Sequence, residues 1–223
     1  MKTTLVNGAN RGIGLALSQH LVARGENVIA VCRHGSEALE KTGARIEAGV
    51  DVTDDAALSA LAQRLVDVRI DTLILNAGIL AKESLGHIDA DGFDDMRKQF
   101  EVNALGPLRV AQALRDRLVE GSKIGIITSR MGSVADNGSG GYYGYRASKA
   151  AVNAIGKSLA MDLKPRGIAV FLLHPGYVAT DMVGGTGDVT PAQSAAQLVE
   201  RLDNLGLSQT GSFWHANGSA LPW

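Results

Sequence analysis

The chain has 223 residues, 45% hydrophobic and 20% charged, which suits a packed core and argues against a disordered chain. Its 22 basic and 23 acidic residues give a net charge of −1, so there is no basic face for nucleic-acid phosphates. With Cys32 as the only cysteine, no signal-peptide pattern at the start and no run near the ~20 apolar residues of a membrane span, the expectation is a soluble cytoplasmic protein without disulfides, nucleic-acid partners or membrane partners.

Short apolar runs predict strands at Thr3–Asn7, Asn27–Cys32, Arg45–Val50, Thr72–Asn76, Lys123–Thr128, Ile168–His174 and Ser212–His215. Helical patterns fall between them. Gly12–Arg24 carries Ile13, Leu17 and Leu21 on one stripe, and Asp55–Val66 opens after Thr53, a candidate cap. Phe93–Val119 predicts a short helix followed by a longer one. Tyr143–Leu163 stops before Pro165 and Gly167, and Pro191–Leu205 opens behind Thr190. Several strands lack period-two alternation, as strands covered on both faces do. The alternation predicts a single-domain α/β Rossmann fold over residues 1–223: a doubly wound, mostly parallel seven-stranded sheet with helices on both faces. Ligands then bind along the carboxyl edge of the sheet. The irregular stretches Ile79–Gly92, Arg130–Gly141 and Val183–Thr190 follow strand ends and should cluster there. The last is rich in glycine, which predicts a mobile, open cover.

The first strand runs into Asn7-Gly8-Ala9-Asn10-Arg11-Gly12-Ile13-Gly14 and then a helix. Glycine at positions 8 and 12 permits the sharp turn and close approach of a pyrophosphate, and Gly14 permits helix–strand packing. The second strand ends in Cys32-Arg33, with no acid there to bind a ribose 2′-hydroxyl. Arg33 with Arg11 could clamp a 2′-phosphate, which favours NADP over NAD. Asp51, in Val50-Asp51-Val52-Thr53, suits either an adenine amino group or the capping of the next helix. Asn76-Ala77-Gly78 allows a flat ring and ribose to approach, and the Asn can tie neighbouring backbone together.

Tyr145 and Lys149 stand four apart on a predicted helix, so phenol and ammonium share one face. A nearby cation favours phenolate, lowers the phenol pKa from about 10 and suits it to exchange a proton with a carbonyl oxygen. Ser129 ends the fifth strand, where its hydroxyl could bond a substrate oxygen; Ser133 is the other candidate. Asn103 is a polar residue in an apolar helical run, suited to holding a kink, holding a water that leads to Lys149, or simply being a satisfied buried amide. Tyr142 and Tyr143 have no lysine four residues on, and suit the entrance instead.

Jointly, Gly8–Gly14, Asp51, Asn76-Ala77-Gly78, Asn103, Ser129, Tyr145/Lys149 and His174-Pro175-Gly176-Tyr177-Val178-Ala179-Thr180-Asp181-Met182 resemble the short-chain dehydrogenase/reductase family. Gly140–Arg146, the short length and Leu221-Pro222-Trp223 look most like the branch around the C-factor signalling protein. The resemblance implies a catalytic set of Asn103, Ser129, Tyr145 and Lys149. Tyr145 would be the acid/base, Lys149 would lower its pKa and hold the nicotinamide ribose, Ser129 would orient the carbonyl, and Asn103 would support a proton-relay water. It also implies a cofactor-binding set of Gly8, Asn10, Arg11, Gly12, Ile13, Gly14, Arg33, Asp51, Val52, Asn76, Ala77, Gly78, Tyr145, Lys149, Pro175, Gly176, Val178 and Thr180. A homodimer or homotetramer is the family's usual assembly. Asn7 stands where the family usually has Thr, and Leu75 replaces an asparagine, removing one local tie.

The function expected is therefore NADP(H)-dependent interconversion of a small-molecule carbonyl and an alcohol. The alternative is a dinucleotide-binding sensor or C-factor-like signalling protein with little turnover, for which a tuned phenol is not required. A metal-dependent hydrolase is not expected, because His20, His34, His87, His174 and His215 lack metal-ligand spacing.

Overall fold

Successive residues of the central strands enter different apolar clusters, which accounts for their unbroken hydrophobicity. Leu5, Ile29, Val170 and Leu172 join one cluster, while Val6, Val28, Ala30, Phe171 and Leu173 join a second. The computed structural model describes residues 1–223. Its strands are β1 (Thr3–Asn7), β2 (Asn27–Val31), β3 (Arg45–Glu47), β4 (Ile70–Leu75), β5 (Leu118–Ile127), β6 (Ala169–His174) and β7 (Ser212–His215). They form one sheet in the order β3-β2-β1-β4-β5-β6-β7, and every neighbouring pair is parallel. The order in which the chain adds strands reverses between β1 and β4, the switch point at which such sheets open a ligand crevice.

The helices are α1 (Gly12–Ala23), α2 (Glu37–Glu40), α3 (Asp55–Arg64), α4 (Ala90–Phe100), α5 (Gly106–Leu114), α6 (Tyr143–Leu163) and α7 (Pro191–Asn204). The cluster holding Leu5 takes in Leu58 and Leu61 of α3, Val110 and Leu114 of α5 and Val152 of α6; the other takes in Leu17 and Leu21 of α1 and Leu198 and Leu202 of α7. Gly156 lets α6 lie close to the sheet, since a Cβ there would stand 2.5 Å from a Leu172 methyl. Helix α7 starts in a reciprocal capping box between Thr190 and Gln193 with Pro191 at its first position. No helix is long and apolar enough to cross a membrane.

Several boundaries differ from the sequence reading. Asp54, not Thr53, caps α3, accepting from the amides of Ala56 and Ala57. The Phe93–Val119 region is α4, then a π-helical turn over Glu101–Leu105, then α5, so its later helix is not the longer one. Strand β5 begins at Leu118, earlier than expected, while β3 stops at Glu47, short of Val50.

Candidate active site

A cavity of about 790 Å³ lies over the carboxyl ends of the strands. The turn after β1 forms one end of it. Gly8 has φ +65°, and a Cβ there would stand 2.9 Å from the Ala77 Cα. A Cβ on Gly14 would stand 2.1 Å from the Gly8 carbonyl oxygen. Only glycine fits either place. Asn7 stitches this turn to the end of β4: its Oδ1 accepts from the amides of Asn76 (2.6 Å) and Ala77 (2.9 Å). Asn76 replies with its Nδ2, donating to the carbonyls of Asn7 and Gly8 at 3.1 Å each. Asn7 and Asn76 thus supply the local ties here, while Leu75 packs into the core.

No side chain caps the start of α1, so its positive end faces the cavity free of a protein acceptor. Arg11 lies 3.6 Å from Asp181, and Arg33 lies 3.7 Å from Asp51. Asp51 does not cap α3; its Oδ1 accepts from the Thr53 amide (2.9 Å) and hydroxyl (2.8 Å). Burial would raise its carboxyl, but the Thr53 bonds and Arg33 outweigh that and hold it below the usual range. An open helix start, a glycine cradle and two exposed guanidinium groups fit a dinucleotide phosphate.

At the other end, α6 brings Tyr145 and Lys149 to the cavity wall, with the Lys149 Nζ 5.8 Å from the centre of the Tyr145 ring. Lys149 is buried, donates to the Ile127 carbonyl at 3.0 Å, and is pushed down to about 8 by desolvation. Burial also pushes the Tyr145 phenol up, opposed by a hydrogen bond with Ser129. The lowered phenol pKa anticipated from Lys149 is therefore not supplied by the protein groups alone: the cation is itself weakened by the desolvation that protects the phenol.

Ser129 caps the short 3₁₀ turn Arg130–Gly132, accepting from the Met131 amide at 3.1 Å. Ser133 is turned away, accepting from the Asp136 amide at 3.1 Å, and does not line the cavity. Asn103 sits in the π-helical turn behind the wall. Its Oδ1 accepts from the Ile79 amide (2.8 Å), and its Nδ2 donates to the Ile79 carbonyl (2.9 Å) and the Ser148 hydroxyl (3.1 Å). Ser148 in turn donates to the Tyr145 carbonyl at 2.8 Å. Asn103 is a fully bonded amide joining the Ile79 backbone to α6.

The cavity thus gathers Gly8, Asn10, Arg11, Gly12, Ile13, Arg33, Asp51, Val52, Asn76, Ala77, Gly78, Ser129, Tyr145, Lys149, Pro175, Gly176, Val178 and Thr180. Gly14 and Asn103 stand behind it. All three irregular stretches contribute, through Leu80, Met131 and Val183 among others. The Val183–Thr190 stretch is more closely fastened than its glycines suggest: Asp188 donates to the Tyr177 carbonyl, and the Val189 carbonyl accepts from Ala179, both at 2.9 Å.

Sequence reasoning missed two features. His174 lines the cavity edge-on to His215 at 4.8 Å, and burial, with His215 and Arg130 adding to it, pushes it down to about 3. Glu83 is buried without a basic partner. Its Oε1 accepts from the Gln99 amide nitrogen (2.6 Å) and its Oε2 from the backbone of Gly144 (3.2 Å), one residue before Tyr145. Nothing in the local pattern around Glu83 marks it as an inward-facing acid.

The family model for short chain dehydrogenases matches residues 2–201. Over the whole of both chains, this protein is 44% identical to 1-hydroxy-2-glutathionyl-2-methyl-3-butene dehydrogenase of Rhodococcus sp. strain AD45. It is 39% identical to the C-signal protein of Myxococcus xanthus, across 74% of this chain and all of that one. An NADPH-bound carbonyl reductase from chicken fatty liver superposes with a TM-score of 0.89 at 30% identity, covering 100% of this chain and 99% of that one. The chain belongs to the short-chain dehydrogenase family of oxidoreductases, within its C-factor-like branch.

Proposed function

We propose that the protein is an NADP(H)-dependent oxidoreductase that interconverts a carbonyl compound and an alcohol, with Tyr145 as general acid/base. The observation that carries this is the convergence of Tyr145, Ser129 and Lys149 on the wall of the cavity that also holds the glycine cradle. The dinucleotide supplies or accepts the hydride. In the reducing direction the C=O π bond opens as its carbon takes that hydride, with two electrons, and its oxygen takes the Tyr145 proton. One C–H and one O–H bond form, and Tyr145 is reprotonated from solvent. Ser129 donates toward the oxygen on which charge develops. Lys149 would hold the cofactor ribose next to the phenol, and its charge would stabilise the phenolate left behind. Asn103 positions α6 through Ile79 and Ser148, and the π-helical turn around it suits a backbone-held water on the path to Lys149. Pro175, Gly176, Val178 and Thr180, which line the cavity, would border the nicotinamide. Arg11 and Arg33 favour NADP, exchanging Asp181 and Asp51 for a 2′-phosphate.

The Rhodococcus relative is named as a dehydrogenase of an alcohol, and the chicken reductase as bound to NADPH; both support this reading. Tyr145→Phe tests it. Carbonyl reduction should fall by about a thousandfold or more, while NADPH binding followed by fluorescence changes less than about threefold. Wild-type turnover in the variant would remove Tyr145 from the proton path.

A further inference from the structure

The two ends of the cavity balance their charges differently. At the dinucleotide end, each arginine has a carboxylate near it, Asp181 for Arg11 and Asp51 for Arg33. Beyond Tyr145, the wall carries Lys82, Arg130 and Arg146 against one carboxylate, Asp136. Arg130 is committed to Asp136 through two hydrogen bonds, one of them Nη2 to Oδ1 at 3.1 Å. Arg146 has no acid. Its Nε is shared between the carbonyls of Gly140 (3.3 Å) and Gly141 (3.2 Å), Nη1 reaches the Met131 carbonyl at 3.5 Å, and Nη2 reaches the Ser139 hydroxyl at 2.8 Å. Neutral acceptors engage three of its five N–H donors and fix its position without cancelling its charge, so two N–H groups stay available to a ligand.

Lys82 is exposed and forms no ion pair, and the adjacent Glu83 is turned inward to Gln99 and Gly144. The cavity lining also includes the apolar side chains of Leu80, Met131 and Met182. A carbonyl at Tyr145 would thus have an apolar surface beside it and uncompensated positive charge at the rim.

We propose that the substrate is an anionic carbonyl compound or its alcohol: an apolar body whose carboxylate is received by Lys82 and Arg146 while its oxygen meets Tyr145 and Ser129. This rests on the reductase reading and adds the substrate class to it. Charge selection of this kind acts through a solvent-exposed rim, so it weakens with salt.

The test compares 4-formylbenzoate with its methyl ester as aldehydes, and 4-(hydroxymethyl)benzoate with its methyl ester as ligands. The ester group activates an aldehyde more than a carboxylate does, so a preference for the acid runs against intrinsic reactivity. Calorimetric titration into NADP⁺-saturated protein should show the hydroxymethyl acid binding about tenfold tighter than its ester at low salt. The advantage should shrink to about twofold in 0.5 M NaCl. The acid/ester ratio of kcat/KM should follow it. Lys82→Gln and Arg146→Gln should each lower both ratios about threefold to fivefold, and Asp136→Asn should raise them, because it frees Arg130. A rise on removing an acid is not what a loosened loop would produce, and Lys82→Gln decides the matter if Arg146→Gln does not fold. Equal binding of acid and ester in the wild type, or ratios that ignore all three substitutions, would overturn the proposal. If neither aldehyde is reduced, the reductase reading fails, and the titration still decides the charge preference.

Discussion

Replacing Lys149 by Met should make the protein more stable while abolishing the proposed reductase activity. The ammonium is buried, and desolvation brings it from an ordinary 10.5 to about 8. At about 1.4 kcal/mol per pKa unit, that displacement amounts to ~3 kcal/mol of folded-state penalty. Its one protein hydrogen bond, to the Ile127 carbonyl at 3.0 Å, returns ~1 kcal/mol, so the net gain for Met is about 2 kcal/mol at pH 7. For a chain of this size that raises Tm by roughly 4–8 °C. The pH dependence carries the argument. Below about 8 both folded and unfolded chains hold the proton, and the penalty is fully present. Between about 8 and 10.5 the unfolded chain binds more protons than the folded one, so wild-type stability rises with pH and the penalty fades. Urea denaturation of both proteins at pH 7 and pH 10 would show a gain for the variant that shrinks at the higher pH. A variant less stable than wild type at pH 7, or a gain independent of pH, would refute the desolvation account.

Arg33→Asp should weaken NADPH binding by ~30-fold and NADH binding far less, measured by parallel fluorescence titrations; equal losses would remove Arg33 from the phosphate. Gly14→Ala forces a methyl to 2.1 Å from the Gly8 carbonyl, so it should cost about 2 kcal/mol in urea denaturation. Gly35→Ala, whose nearest new contact is 3.9 Å, is the matched control and should change little. His174 stays neutral in the folded chain until about pH 3, whereas an unfolded histidine takes up its proton near 6.5. Stability should therefore fall by up to ~1.4 kcal/mol per pH unit below 6.5, and His174→Asn should flatten that slope in denaturation series at pH 6.5 and 4.5.

Strands such as β1, β2, β4 and β6 could be read because each is a short, largely apolar run. The turn Gly8–Gly14 could be read because steric exclusion leaves glycine alone at positions 8 and 14. Tyr145 and Lys149 share a helix, so their meeting needs only the helical period. What escaped depends on contacts distant in sequence. The π-helical turn at Glu101–Leu105 has no local composition signal; it is where Asn103 reaches back 24 residues to Ile79. The start of β5 at Leu118 was hidden because Glu120, Gly121 and Ser122 do not read as a strand, although Leu118 pairs with Ile70. Desolvation of Lys149 belongs to the same class. Sequence places a cation one turn from the phenol, but only packing shows that the surroundings weaken it.

The inward-facing Glu83 has a consequence for how this scaffold can diversify. The segment following β4 is fastened to the first turn of α6 through Gly144, whose missing side chain leaves the room: a Cβ there would stand 2.9 Å from the Glu83 Oε1. Gln99 extends the same fastening, holding Glu83 with one end and the Ala81 amide with the other. Exchanging this segment for one from another family member would carry away the anchor of α6 together with the cavity wall it forms. Substitutions that retune ligand choice without that penalty are confined to outward positions such as Leu80 and Lys82, and transplants must bring Glu83, Gln99 and Gly144 along as a unit.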